Sequence, residues 1–263
     1  MSVPRGTITG MTSIDEPLLL ETAAKHGVPA PVVRELMART RPCLHLVQHG
    51  ELPEPSRENA RPAARTGGLP ALPDGVNWPD GKEPLVLTVD CAALPHGVLD
   101  IELPADGHLL FFTEVEYPPE QSVLLHIPAG VTTTERPADD IRVYEPRTLY
   151  PVPGLSFDGE SDGGPHTRAF LDAEGDGAQE ALDAFEEAVG DLAFGGRRPG
   201  VRVQLGGFSD SWDMAPDTDG LVLLAQLAGQ AVDHDVFTMN LIVGTREELA
   251  AGEYGGLEYE QQC

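Results

Sequence analysis

The sequence predicts an α+β fold that consists mainly of antiparallel sheets built from a duplicated β unit. Two segments repeat the same order of features: a glycine pair, a polar turn, a tryptophan and an apolar strand. Self-similarity of this kind indicates a repeated supersecondary unit. Pro and Gly turns between short apolar runs indicate antiparallel strand connections. The matching features are Gly67-Gly68 and Gly206-Gly207, Trp78 and Trp212, and the strands Leu85–Val89 and Leu221–Leu227.

A helical hairpin over residues 15–40 precedes the first unit. Pro17 fits the first turn of one helix, and Gly27 ends it. Pro31 begins the second helix, whose apolar residues recur at helical spacing. The hairpin therefore has one apolar side to pack against the sheets.

Short strands are predicted along the rest of the chain, on alternation and on turn residues. Beyond the two unit strands they are Cys43–Val47, His108–Tyr117, Val123–Ile127, Ile141–Tyr144, Thr148–Val152, Val201–Leu205, Asp235–Val243 and Leu257–Gln261.

Two further helices are predicted after the first unit. Residues 153–177 are rich in Gly and Asp and predict a long exposed loop, after which Asp176 caps an amphipathic helix that ends at Gly190. Thr245 and Glu248 form a capping box that predicts a small helix near the C-terminus.

These elements predict a disordered N-terminus over residues 1–14 and one domain over 15–263. The first unit spans about residues 43–152, the acidic loop and helix 153–191, and the second unit about 200–263.

Charge is the dominant feature of the composition, with a formal net charge of −26. Residues 158–191 carry 11 acidic side chains against 1 basic, and residues 201–263 carry 11 against 2. Such a field repels a phosphate backbone and attracts a basic protein, so nucleic-acid binding is disfavoured. No apolar run approaches the ~20 residues of a membrane span. Three widely spaced cysteines and the lack of a secretion signal predict reduced thiols in the cytoplasm.

The acidic segment holds two copies of the pattern D-x-E-x-D-G, of which the second resembles a calcium loop. Carboxylates at alternate positions with a glycine at the turn are ligands that calcium prefers. A solvated acidic loop is the favoured interpretation, because the twelfth position lacks the bidentate Glu. A calcium site is the alternative, with Asp172, Glu174, Asp176, Glu180 and Asp183 as its candidate ligands. No other cofactor is predicted.

No catalytic residue can be named from the sequence. Cys43, His45 and His49 could be metal ligands, but a core strand with a surface histidine explains them better. Cys91 has no partner histidine that the sequence places beside it. The glycine pairs lack the patterns of phosphate loops.

The order of motifs resembles the YwqG-like family, a widespread bacterial family of unknown function. The motifs are RPCLHL, GGLPALPDGVNWP, PLVLTVDCAALP, LPADGHLLFF, VQLGGF, LVLLAQL and TREELAAGEY, followed by Cys263. The resemblance covers about residues 15–263 and implies an α+β fold with a duplication. It also implies an immunity-like role, because some members are encoded near toxin systems. Thr88 replaces a glutamine of the family pattern, whereas Gln226 keeps one, and Asp233-His234-Asp235 replaces a glycine turn.

Two functions follow as hypotheses. The favoured one is a non-enzymatic module, of the immunity type that the resemblance implies, that binds a basic protein through acidic residues, with Asp213, Asp217 and Asp219 exposed on a loop. The alternative is an enzyme or small-molecule binder with a site in the cleft between the units. Its candidate ligand-binding residues are Trp78, Trp212, Gln226, Asp233, His234 and Asp235.

Overall fold

A computed structural model describes residues 16–137, 139–158, 163–196, 198–200 and 203–263. Its six helices and twelve strands confirm the α+β class with antiparallel sheets. The helices are α1 (Glu16–Lys25), α2 (Ala30–Met37), α3 (Glu54–Arg57), α4 (Pro165–Glu174), α5 (Asp176–Leu192) and α6 (Arg246–Ala251). The strands are β1 (Arg41–Val47), β2 (Ala64–Thr66), β3 (Ala71–Pro73), β4 (Leu85–Asp90), β5 (His108–Phe112), β6 (Val123–Ile127), β7 (Thr133–Glu135), β8 (Arg147–Ser156), β9 (Val203–Leu205), β10 (Leu221–Ala228), β11 (Met239–Thr245) and β12 (Glu258–Gln262).

Ten strands form one antiparallel sheet in the order β12-β11-β10-β9-β1-β8-β2-β4-β5-β6, and β3 pairs with β7 alone. The sheet curls until its two ends meet. There the turn Tyr254–Gly256 contacts β6, and the Thr238 hydroxyl donates to the Val115 carbonyl at 2.7 Å. The curl encloses the largest apolar cluster, which includes Leu44, Phe111 and Leu205. Burial of these side chains stabilises the closed form.

The strand order is the same on both sides of the central β1–β8 pair, with β2, β4, β5 and β6 on one side and β9, β10, β11 and β12 on the other. The glycine pairs have matching φ angles of 63° and 81°. Each first glycine donates its N–H to the following strand, Gly67 to Val86 at 3.0 Å and Gly206 to Leu224 at 3.1 Å. The pairing register also shifts near these acceptors, in β4 and in β10.

Four helices pack together, with α5 against β8, whereas α6 adds Leu249 to the main apolar cluster. α1, α2 and α5 share a cluster that contains Leu19, Val33 and Phe185, and α4 packs against it. The loop predicted for residues 153–177 is largely wrong, because β8 runs to Ser156 and α4 begins at Pro165. The Glu35 carboxylate on α2 accepts the N–H groups of His166 and Thr167 at 3.0 and 2.9 Å, which caps α4 from another helix.

Other boundaries differ less from the predicted ones. The capping box of α6 is confirmed, since the Thr245 hydroxyl accepts from the Glu248 N–H and the Glu248 carboxylate from the Thr245 N–H. The strand expected over Ile141–Tyr144 is not formed, and Tyr144 packs instead in the main core. The disorder expected over residues 1–14 lies outside the described residues. No helix in the described ranges is both long and apolar enough to cross a membrane.

Glu186 on α5 makes stability depend on pH. Burial, with a smaller effect of Asp183, raises the pKa of its carboxyl from 4.5 to about 7. Because the folded pKa lies above the unfolded value, the folded state binds more protons between these two pH values. The free energy of unfolding that the protonated Glu186 carboxyl contributes is therefore complete below about pH 4.5, and it is lost as pH rises to about 7. Allowing for partial exposure, the loss is about 2 kcal/mol.

Glu186→Gln is therefore expected to raise the free energy of unfolding at pH 8 by about 2 kcal/mol. At pH 4 it should change little. Urea titrations at both values measure the effect, and the exposed neighbour Glu187→Gln controls for the general loss of negative charge. Equal stabilisation by both variants at pH 8 would contradict the role of burial.

Candidate functional site

A row of buried polar side chains crosses the sheet from β1 to β10. His45 on β1 lies opposite Gln204 on β9, which lies opposite Gln226 on β10. All three side chains are buried. Buried amides need hydrogen-bond partners, and here the partners come from the loop that follows β9.

The two glutamines hold this loop on the sheet. Nε2 of Gln204 donates to the carbonyls of Gly206 and Phe208, each at 2.9 Å. Oε1 of Gln226 accepts the backbone N–H of Asp210 at 2.7 Å, and its Nε2 donates to Asp210 Oδ2 at 3.3 Å. The position of Asp210 is therefore set by a fully buried side chain.

Beside this loop the surface opens into a cavity of about 260 Å³, the Trp212–Phe237 cleft. Its aromatic residues are unusually open to solvent, with Trp212 57% and Phe237 69% exposed. The Trp212 backbone is fixed because its N–H donates to Oε1 of Gln262 at 2.7 Å. The lining residues are Arg198, Asp210, Trp212, Ala228, Gln230, Phe237, Thr238 and Met239.

Larger cavities lie elsewhere, and the arginines of two of them already contact other groups. One of about 710 Å³ contains Arg41 and Arg246. Arg246 pairs with Asp100 at 2.6 Å, and Arg41 stacks 4.1 Å above the Phe208 ring. A groove of about 510 Å³ on the first unit contains Arg65, whose Nη2 donates to the Leu69 carbonyl at 2.6 Å. Among the cavities found in the described ranges, the smaller cleft combines exposed aromatic rings with a cation that has no such contact. The same cation also lines a groove of about 630 Å³ beside Phe194.

That cation is Arg198, which follows α5. Its guanidinium has no hydrogen bond or ion pair with any residue in the described ranges. The Asp191 carboxylate accepts the backbone N–H of Arg198. Gly190 makes room for the side chain, because a Cβ there would lie 3.3 Å from Nη1 of Arg198.

Cys43 and His45 lie side by side in the core, with Sγ 3.5 Å from Nε2. Burial raises the pKa of the Cys43 thiol to about 12, with Asp210 raising it further and Arg198 opposing. Burial and Arg198 lower the pKa of His45 to about 4. Both groups are therefore neutral near pH 7, whereas a nucleophilic cysteine needs its thiolate. His49 is exposed beside Tyr150 and does not join them.

The predicted ligand-binding residues fall into separate places. Trp78 packs on Phe112 in the first unit, with ring centroids 5.6 Å apart, and Nε1 donates to the Glu83 carbonyl. Trp212 lines the cleft, and Gln226 supports it through Asp210. No cavity or contact found in the described ranges joins the two tryptophans.

The Asp233-His234-Asp235 turn is exposed apart from Asp233, and its potential metal-ligating atoms lie within 4.8 Å of one another. Asp233 already forms an ion pair, in which its Oδ2 lies 2.6 Å from Nη2 of Arg142. This ion pair connects the turn to the first unit. The turn leads directly into Phe237 of the cleft.

The candidate calcium ligands lie on helices and not in a loop. Asp172 and Glu174 are in the last turn of α4, and Asp176, Glu180 and Asp183 are on α5. Only Gly175 separates the two helices. These residues therefore do not lie in the continuous loop that the sequence predicted. In the first copy of the pattern, Glu160 and Asp162 lie outside the described residues.

The loop acids differ in exposure. Asp213 and Asp219 are exposed as expected, but Asp217 is buried and accepts the Ser209 hydroxyl at 2.6 Å. Sequence reasoning missed Arg198, Asp210 and Phe237 as cleft residues. No motif marks them, because they come together only when the end of α5 and two loops meet.

Comparison with known proteins gives one family. The model of a domain of unknown function, DUF1963, matches residues 64–263, from β2 to the last residue. No curated protein matches the chain.

Proposed function

The chain belongs to the DUF1963 family of domains of unknown function, and from this premise we propose that it is a YwqG-like, non-enzymatic module that binds a basic protein. The exposed aromatic residues of the Trp212–Phe237 cleft carry the proposal. Tryptophan and other aromatic residues are enriched at protein interfaces and often dominate binding energy. Met214, 78% exposed, adds a third apolar contact on the same loop as Trp212.

Acidic residues around the cleft determine the kind of partner. Asp213 lies beside Trp212, and Asp235 lies two residues before Phe237. Both carboxylates are exposed on a protein with a net charge of −26. Complementary charge accelerates association and disfavours acidic competitors. A basic partner that places an apolar side chain on Trp212 fits these features, in agreement with an immunity-type role.

The other observations agree with binding and a cytoplasmic location. The neutral, buried Cys43–His45 pair does not supply a nucleophile at pH 7. All three cysteines are free thiols, which is usual in a reducing compartment. Expression of a fluorescent fusion in the host tests the location, and an envelope signal would contradict it.

The partner is tested by retention from host lysate at about 50 mM and about 300 mM salt, where screening differs strongly. Retention of a basic protein should fall at the higher salt. Asp213→Lys/Asp235→Lys should abolish it, whereas the control Glu58→Lys/Asp80→Lys, with the same change of charge at exposed sites, should keep it. With the purified partner, Trp212→Ala should weaken binding about 30-fold. Retention that is unchanged in the double variant and in Trp212→Ala would contradict the proposal.

We also infer that the two β units arose by duplication. The shared strand order, the equal φ angles of the glycine pairs and the matching register shifts support it. A sequence profile built from the second unit of many relatives should detect the first unit. If the profile detects only second units, sequence similarity does not support the duplication.

A further inference from the structure

The Trp212–Phe237 cleft contains two opposite charges that do not neutralise each other. Arg198 and Asp210 both line the cavity, yet they form no ion pair. The Arg198 guanidinium thus has no carboxylate partner within the described ranges of a protein with a net charge of −26. The arrangement leaves one site for an anionic group and another for a cationic group within one small space.

The Asp210 side chain and the Arg198 backbone are held in place by groups that lie outside the cleft. The Asp191 carboxylate fixes the backbone of Arg198, and Gly190 leaves space for its guanidinium. Asp210 is bound twice by the buried Gln226. A carboxylate that is fixed before a ligand arrives, as that of Asp210 is, needs little reorganisation on binding, which favours affinity.

The walls and the volume restrict the ligand further. Trp212 and Phe237 provide aromatic surfaces, and Ala228 and Met239 provide further apolar surface. The volume of about 260 Å³ lies below the ~300–1,000 Å³ of sites for drug-sized molecules. The cleft therefore suits a compact molecule that has an apolar group beside its charges.

We propose that the cleft binds a free α-amino acid with an apolar side chain. Its carboxylate pairs with Arg198, its ammonium group pairs with Asp210, and its side chain lies against Trp212 and Phe237. A simple anion would leave the Asp210 carboxylate to repel it, and a simple cation would face Arg198. A zwitterion satisfies both charges, and guanidinium–carboxylate pairing supplies directional hydrogen bonds.

This inference goes beyond the protein-binding function and can fail separately from it. Retention of a basic partner is measured with proteins and depends on Asp213 and Asp235. Amino-acid binding is measured with purified protein alone and depends on Arg198 and Asp210.

The test is calorimetric titration of the purified protein with L-leucine and L-phenylalanine. Saturable binding of at least one is expected, together with a change in Trp212 fluorescence in a Trp78→Phe background. The amino-acid amide lacks the carboxylate and the N-acetyl derivative lacks the ammonium group, so each should bind at least tenfold more weakly. Arg198→Gln and Asp210→Asn should each weaken binding of the free amino acid at least tenfold.

Arg61→Gln and Asp80→Asn, both at exposed positions away from the cleft, serve as matched controls and should bind like the wild type. Circular dichroism checks that each variant is folded. Three results would overturn the proposal. The first is the absence of saturable binding of either amino acid up to about 10 mM, because binding that weak has a free energy well below that of specific sites. The others are equal binding of the amide and wild-type affinity in Arg198→Gln. Tight binding of the N-acetyl derivative, with an affinity that Asp210→Asn does not change, would likewise exclude recognition of a zwitterion by the cleft.

Discussion

Gly207→Ala is expected to destabilise the protein by about 4 kcal/mol or more, because it combines backbone strain with overlap in the core. Gly207 has a φ of 81°, which residues with a Cβ rarely adopt. A Cβ at this position would lie 2.3 Å from the Ser156 hydroxyl and 2.8 Å from Cβ of Cys43. The Ser156 hydroxyl also accepts the Phe208 N–H at 2.7 Å, so it cannot move without breaking that bond.

Gly68→Ala is the matched control, since Gly68 has the same φ in the first unit. There a Cβ would lie 3.3 Å from the Arg65 guanidinium, which can shift. We expect a loss of about 1–2 kcal/mol, chiefly from backbone strain. Urea titration of both variants measures the difference. Equal losses would show that crowding at Gly207 is relieved by movement of the loop.

Glu83→Ala is expected to cost about 3 kcal/mol, since charge-assisted hydrogen bonds contribute about 1.5–3 kcal/mol each and water replaces part of them. The buried Glu83 carboxylate accepts the N–H groups of Glu120 and Gln121 at 2.7 and 2.6 Å and the Ser122 hydroxyl at 2.9 Å. It thereby holds the segment that enters β6. Its charge adds to burial in raising the pKa of Tyr259 on β12, so it lies close to the closure of the sheet.

Glu83→Gln separates the hydrogen bonds from the charge. Glutamine keeps one oxygen for the two N–H groups, and its amide can donate to Ser122, so a loss near 1 kcal/mol is expected. Thermal unfolding of both variants provides the measurement. A loss in Glu83→Gln as large as in Glu83→Ala would assign the stabilisation to the charge alone.

The candidate site could be predicted only in part. Trp212 and Gln226 were identifiable because they stand at defined points of a repeated pattern, and both belong to the cleft or support it directly. Trp78 stands at the corresponding point of the first unit, yet it packs on Phe112. Similar local sequence therefore does not determine the solvent exposure of a tryptophan. That exposure depends on which distant segments of the chain pack against each face of the sheet.

The loop predicted over residues 153–177 shows that local sequence does not determine backbone structure either. Gly and Asp are poor helix formers, and their abundance over residues 153–177 favoured a loop. α4 forms nevertheless, since Glu35 supplies N-terminal capping from a residue 131 positions earlier in the chain. Tertiary contact here overrides local propensity, and the carboxylates of Asp172 and Glu174 consequently project from a helix.

Residues close together in the chain were enough to predict the α+β class, the glycine turns with positive φ and the capping box of α6, because each of these depends on local contacts. Tertiary structure alone decided which tryptophan is exposed, that Asp217 is buried, and that Arg198, Asp210 and Phe237 share a cleft. Those outcomes depend on contacts between distant segments. The free energy of such contacts depends on the packing of the whole sheet and its helices, which no local pattern encodes.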